Sequence, residues 1–166
     1  MATETDSRTN GAGAREDAAP AQPADYAAIN AVYAAAFAGV VLATRERGAR
    51  HDPITPAELI PLGAATFAVA KVVARERVGG WVREPFVDDP QGAKRPVGHG
   101  LQRALGELVT CTRCVGAWSA LGVVGLRLAS PQTGRVVTSV LAASAANDWL
   151  QAGFRWVCNR SDATER

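Results

Sequence analysis

Four long apolar runs, separated by charged, proline- and glycine-rich stretches, set out the plan of this chain. The first covers residues 26–44 and holds almost no polar side chain besides Asn30. Asp25 stands where an N-cap would start it, and Arg45-Glu46-Arg47-Gly48 ends it with charge and a helix stop. The second covers 57–74, with Glu58 in its first turn and Lys71 in its last, where the helix dipole favours each sign. Thr55 or Pro56 can start it after the Pro53 turn, and Pro61, near its beginning, bends rather than breaks it. The third covers 115–129, is interrupted by Gly116, Gly122 and Gly125, and carries Arg127, which must snorkel or pair. Ser130-Pro131-Gln132-Thr133-Gly134 reads as a turn. The fourth, about 136–157, opens with small apolar residues, carries Asn147-Asp148-Trp149-Leu150-Gln151 well inside, and closes on Arg155, Trp156, Cys158 and Arg160.

Between the second and third runs the pattern changes. Residues 75–113 hold Arg75, Arg77, Arg83, Lys94, Arg95, Arg103 and Arg113, and Pro85, Pro90, Gly92, Pro96, Gly98 and Gly100 make the middle a loop. Leu101, Leu105, Leu108 and Val109 recur at helical spacing, so Gly100–Thr110 is expected to be a short amphipathic helix. Trp81 and Phe86 beside Arg83 suit a membrane interface or, equally, a ring tucked against a neighbouring helix. Residues 1–24 are mostly Ala, Thr, Glu, Asp, Gly and Pro, with too little apolar surface to offset ordering, and are expected to be a disordered tail; 161–166 is a polar tail. The likeness of Ala34-Ala35-Ala36-Phe37-Ala38 to Ala64-Ala65-Thr66-Phe67-Ala68 is ascribed to chance, since alanine-rich helices match easily.

A helix that is apolar all round is buried in a core or in a bilayer. A soluble four-helix bundle shows charges at every third or fourth position, and neither 59–70 nor 115–126 has any. Alanine and glycine also bury little area each, so a water-driven core made of them is weak. The expectation is therefore an all-α helical membrane domain over 25–160, with three to four transmembrane helices of the ~17–25 residues a bilayer needs. The soluble bundle is the alternative. Gly63, Ala64 and Ala68 offer a small-residue face for close helix contact, within the bundle or in a homo-oligomer in the lipid bilayer.

Composition refines this little. The 166 residues are 48% hydrophobic but only 6% aromatic, and a net charge of +2 is too small to argue for nucleic acid. The placement of charge says more. Basic residues concentrate in 75–113 and near both termini, which puts the N-terminus and that loop on the cytoplasmic side of a plasma membrane. Arg45, Arg47 and Arg50 make the first outer loop basic too, which leaves open a shallow hairpin in place of two full spans.

The most definite chemistry is Cys111-Thr112-Arg113-Cys114, one turn after Glu107 and directly before an apolar run. Three cysteines cannot all pair within one chain, which suits a reducing compartment. Three readings stay open for the pair. It can bind zinc with His99, Cys158 or Glu107, or with a second copy of itself; it can be a redox dithiol; or it can simply pack at a helix start. Asn147 and Asp148 are candidates for an intramembrane polar site, with Arg127 or Lys71 as further partners, unless Asp148 sits at the interface. His51 lies in a polar loop. No phosphate-binding loop, nucleophile elbow or HExxH is present, so a familiar enzyme class has no support.

The block Glu107-Leu108-x-x-Cys111-x-x-Cys114-x-Gly116-x-Trp118, with Ala64-x-x-Phe67-Ala68-x-Ala70 upstream and Asn147-Asp148-Trp149-Leu150-Gln151 downstream, resembles the bacterial domain-of-unknown-function family 1360 over roughly residues 56–155. The resemblance implies a small bacterial integral membrane protein and no particular reaction. Three functions are then in view: a structural or accessory membrane module, a metal- or redox-responsive protein using Cys111 and Cys114, and a small transporter using Asp148.

Overall fold

The structure is a computed structural model and describes residues 20–47, 52–89 and 93–164. The expected disordered tail lies almost wholly outside the described residues, as does His51. Six helices account for most of what is described: α1 (Pro23–Arg47), α2 (Leu59–Ala74), α3 (Gly80–Arg83), α4 (Gly100–Thr110), α5 (Thr112–Ala129) and α6 (Pro131–Thr164). A two-stranded antiparallel hairpin, β1 (Val87–Asp88) and β2 (Arg95–Pro96), pairs Val87 with Pro96 and Asp88 with Arg95.

The centre of the fold is α2, which packs against both α5 and α6 while those two pack against each other. Its packing face is built from small side chains: Ala65 and Ala74 are fully buried, and Ala68 and Ala70 nearly so. Leu62, Ala65 and Val123 form one buried cluster with Ile54, Val69 and Leu141 against it; Ala70, Ala74 and Val115 form a second with Val73 and Leu108. Small residues at helix contacts let backbones come close and gain dispersion where bulky ones would hold them apart.

Entry into α2 follows the expected chemistry. Pro56 opens a single 3₁₀ turn, Pro56–Glu58, and the Glu58 carboxylate reaches back to accept from the Thr55 backbone N–H at 2.9 Å. Three other local expectations are revised. Asp25 lies inside the first turn of α1, which starts at Pro23, and its carboxylate accepts from the Gln22 N–H at 2.8 Å. The turn expected at 130–134 shrinks to Ser130, because Pro131 suits the first turn of a helix and Gly134 N–H already donates to Ser130 O at 2.8 Å. Gly134 is needed there: a Cβ on it would lie 2.4 Å from Arg127 Cα, so only glycine lets α6 fold back this tightly on α5. The helix then runs unbroken through Asn147 and Asp148 and into the expected polar tail, ending at Thr164.

The segment read as a loop after α2 is a small folded cap. Arg83 is buried, and its guanidinium donates to the carbonyls of Val73 and Glu76; Lys94 Nζ donates to Ala74 O at 2.7 Å and Arg75 O at 3.2 Å. Two cations thus satisfy the orphan carbonyls that close α2, where the dipole favours positive charge. Taking Lys94 partly out of water pushes its pKa below the ordinary value, and the Arg83 charge adds to that.

By length and composition, α1 and the continuous stretch Pro56–Ala74, formed by the 3₁₀ turn and α2, are each long and apolar enough to cross a membrane. The α4–α5 pair meets the same test together but is bent by 86° at Cys111, as a broken span or re-entrant element would be. The fourth expected span, within α6, is not among the described helices that meet the test. Apolar side chains nevertheless stand outward along the bundle, among them Ile60 and Leu59 on α2 and Val140, Leu150 and Phe154 on α6. Trp81 is 76% exposed, so its ring is not tucked against a helix.

Candidate functional site

Cys111 occupies the corner between α4 and α5. With φ −92° and ψ 107° it ends α4 and serves as N-cap of α5. The Thr110 hydroxyl is turned back onto the Gly106 and Glu107 carbonyls, at 2.9 and 3.1 Å, so the last turn of α4 is closed before the corner. Cys111 Sγ then does the work that a serine or aspartate oxygen does at other N-caps, accepting from the Cys114 N–H at 3.4 Å. That contact brings the Cys114 side chain over it, and the two sulfurs lie 2.8 Å apart as free thiols.

Four influences favour the Cys111 thiolate, and burial opposes them. The Cys114 thiol and then the Cys114 and Arg113 backbone N–H groups hydrogen-bond it, and the Arg113 charge is close by, so its pKa is lowered from the ordinary thiol value. Hydrogen bonds to a thiolate favour the charged form, and a helix N-terminus adds its positive dipole end. Cys111 is half-buried and Cys114 exposed. Beside them α1, α4 and α5 enclose a cavity of about 400 Å³ whose wall includes Tyr26, Ile29, Tyr33, Glu107, Cys114 and Trp118. Tyr33 and Trp118 meet edge to face at 5.1 Å, and the Tyr26 hydroxyl donates to Glu107, which fixes the foot of α1 against α4 and α5.

The residues proposed to complete a zinc site are not gathered. His99 precedes α4 and Cys111 follows it, so about 16 Å of helix separates them. Cys158 lies half-buried near the far end of α6. Glu107 is engaged with Tyr26 and with Arg103 at 3.6 Å. Among the described residues no three His, Cys, Asp or Glu side chains stand together as a metal ion would require.

Of the partners considered for Asp148, Lys71 is the one it meets: Nζ lies 2.9 Å from Asp148 Oδ2 and 3.0 Å from Glu76 Oε1. Asn147 is exposed on the same turn of α6. Arg127 is used elsewhere. Its Nε contacts Glu58 Oε1 at 2.8 Å and its Nη2 contacts Asp52 Oδ2 at 3.2 Å, while Arg135 reaches the same two carboxylates at 3.5 and 2.5 Å. Sequence reasoning placed Arg127 and Glu58 at helix ends but did not join them. The signal available was four opposite charges flanking three apolar runs on one side of the topology.

Comparison with known proteins agrees with the resemblance drawn from the cysteine block. A profile of the family described as "Protein of unknown function (DUF1360)" matches residues 61–154, which cover most of α2, the cap, α4, α5 and most of α6. No curated protein matches, and no solved structure matches. The chain belongs to the DUF1360 family.

Proposed function

For a member of this family, we propose an integral protein of the bacterial plasma membrane whose Cys111–Cys114 pair acts as a thiol–disulfide couple at the cytoplasmic face. The observation that carries the redox reading is the 2.8 Å contact between two free thiols, with Cys111 capping α5. A disulfide needs about 2.05 Å between sulfurs, so closure asks for a shift of under about 1 Å. The membrane reading is supported by α1 and α2, which have the length and apolarity of spans, and by the outward apolar side chains of α2 and α6. Arg75, Arg77 and Arg113 lie near the dithiol end, as a cytoplasmic boundary prefers.

The chemistry is exchange. The Cys111 thiolate attacks a disulfide of a partner thiol compound, forming a mixed disulfide and releasing one partner thiolate. Cys114 then attacks the Cys111 sulfur, passes its proton to the departing sulfur, and closes the intramolecular disulfide while the second partner thiol leaves. The reverse sequence reduces a partner disulfide. Cys111 is the attacking group because its thiolate is favoured; Cys114 resolves.

The test combines membrane fractionation with labelling by an impermeant maleimide in intact and lysed cells, then a titration of the pair in glutathione buffers read by mass. Retention in carbonate-washed membranes, labelling only after lysis, and a cooperative two-proton mass loss that disappears in Cys111→Ser and Cys114→Ser are expected. Extraction by carbonate would remove the membrane reading, and two independently titrating thiols would remove the couple. A second reading, an accessory module that assembles through α1, is favoured by the exposure of that helix: only 6% of its apolar stretch is buried. Crosslinking through a cysteine placed at Val32 separates it from the first.

A further inference from the structure

At the opposite end of α2 from the dithiol lies a cavity of about 350 Å³ where α2, α5 and α6 converge, and its wall includes Glu58, Arg127, Arg135, Thr138 and Ser139. Two residues of that wall each carry a buried polar atom with no partner among the described residues: Arg127 Nη1 and Thr138 Oγ1. Arg127 is 1% exposed and Thr138 5%. Leaving a buried donor unmade is costly, and a charged one more so. From this we infer that the cavity binds a small, singly charged oxyanion, a carboxylate or a phosphodiester.

The chemical class follows from what the two groups can do. A guanidinium Nη1 only donates, and the threonine hydroxyl has a proton to give as well. A ligand must therefore present acceptor oxygens, which an ammonium or other pure donor lacks. The charge follows from the surrounding cluster. Arg127 and Arg135 share Glu58 and Asp52, so two positive and two negative charges already cancel. A dianion would be repelled by the two carboxylates, whereas a single negative charge on the free Nη1 side of Arg127 gains a charge-assisted hydrogen bond at little repulsive cost. In the topology proposed above this end faces outward, so the oxyanion comes either from solution or from a phospholipid headgroup in the outer leaflet.

The experiment is a thermal-unfolding titration of the full chain in neutral detergent, with sodium acetate, sodium dimethyl phosphate, and phosphatidylglycerol in mixed micelles as probes. Sodium chloride at matched ionic strength is the control. A saturable rise in Tm is expected with at least one probe. Acetate or dimethyl phosphate alone would identify a soluble ligand; phosphatidylglycerol alone would identify the lipid. Thr138→Val keeps the shape and removes the hydroxyl, so it should weaken the binding about tenfold while its probe-free Tm stays level or rises. Thr138→Ser, which restores the hydroxyl, should retain binding. Absence of any saturable shift beyond sodium chloride overturns the inference, because water then satisfies both groups. An identical shift in Thr138→Val overturns it as well.

Discussion

Where α2 begins, two arginines and two carboxylates from three parts of the chain bind one another; where it ends, Arg83 and Lys94 go to backbone carbonyls instead. Arg127, Arg135, Glu58 and Asp52 hold together segments 69 to 83 residues apart in sequence. Arg83 and Lys94 close a helix that lies 7 to 20 residues away. The first arrangement is tertiary glue, the second an elaborate helix cap. The difference lies in what each leaves behind when broken. Removing a carboxylate strands a buried guanidinium, while removing a capping cation strands carbonyls that water or a lipid headgroup region can reach.

That contrast is broken most directly at Glu58. Glu58→Ala takes away the contact to Arg127 Nε and should produce the largest fall in Tm of any single change considered, read by tryptophan fluorescence in detergent. The compensating experiment is the informative one. Because replacing a buried pair by apolar groups is often neutral, Glu58→Leu combined with Arg127→Met should recover most of the loss. A double variant as unstable as Glu58→Ala would mean that the pair contributes net attraction and the contrast between the ends is one of degree only.

Next in size is Gly134. Gly134→Val forces a side chain into the Arg127 backbone and should cost about 1–3 kcal/mol or more. Gly122→Val, in α5 where an added Cβ meets nothing within 4 Å, should be nearly silent. Equal effects would show that helix propensity, not the tight α5–α6 turn, governs both. At the other end Arg83→Met should cost about 1–2 kcal/mol, by leaving the Val73 and Glu76 carbonyls to find other donors.

The same two ends show what could be read before any coordinates. The apolar runs stand out because a run of charge-free residues has few physical outcomes, and α2, α5 and the Gly100–Thr110 helix lie where periodicity placed them. The corner at Cys111 was legible as a boundary because it sits between an amphipathic stretch and an apolar one. The dithiol contact was legible as a possibility, since i and i+3 at a helix start bring side chains together. What periodicity could not show was partner choice. Arg127 had several acidic groups available, and only the three-dimensional meeting of α2, α5 and α6 selected Glu58 and Asp52 over Asp148. The cap after α2 was hidden for a different reason. Its strands are only two residues long and the segments around them are rich in proline and glycine, so their order comes from Arg83, Lys94 and the seat against Gly106, where an added Cβ would lie 2.5 Å from Phe86 O.

Lys94 gives the smallest effect, with a sign opposite to that of an ordinary capping charge. Burial, and then the neighbouring Arg83 charge, hold its pKa below the ordinary 10.5, so the folded chain gives up that proton at a pH where the unfolded chain still keeps it. Stability rises with pH wherever the unfolded state binds more protons, which here is the window from the lowered value up to about 10.5. Below that window both states carry the charge, and the cost of burying it is present in full; above it both are neutral and the cost is gone. The quantity to measure is the difference between wild type and Lys94→Met in unfolding free energy, from about pH 8 to about pH 10.5, which cancels the titration of every other group. The wild type should gain on the variant as pH rises. Parallel curves would mean that the two carbonyl bonds to Ala74 and Arg75 offset the burial completely, and that both ends of α2 hold their cations at no net cost.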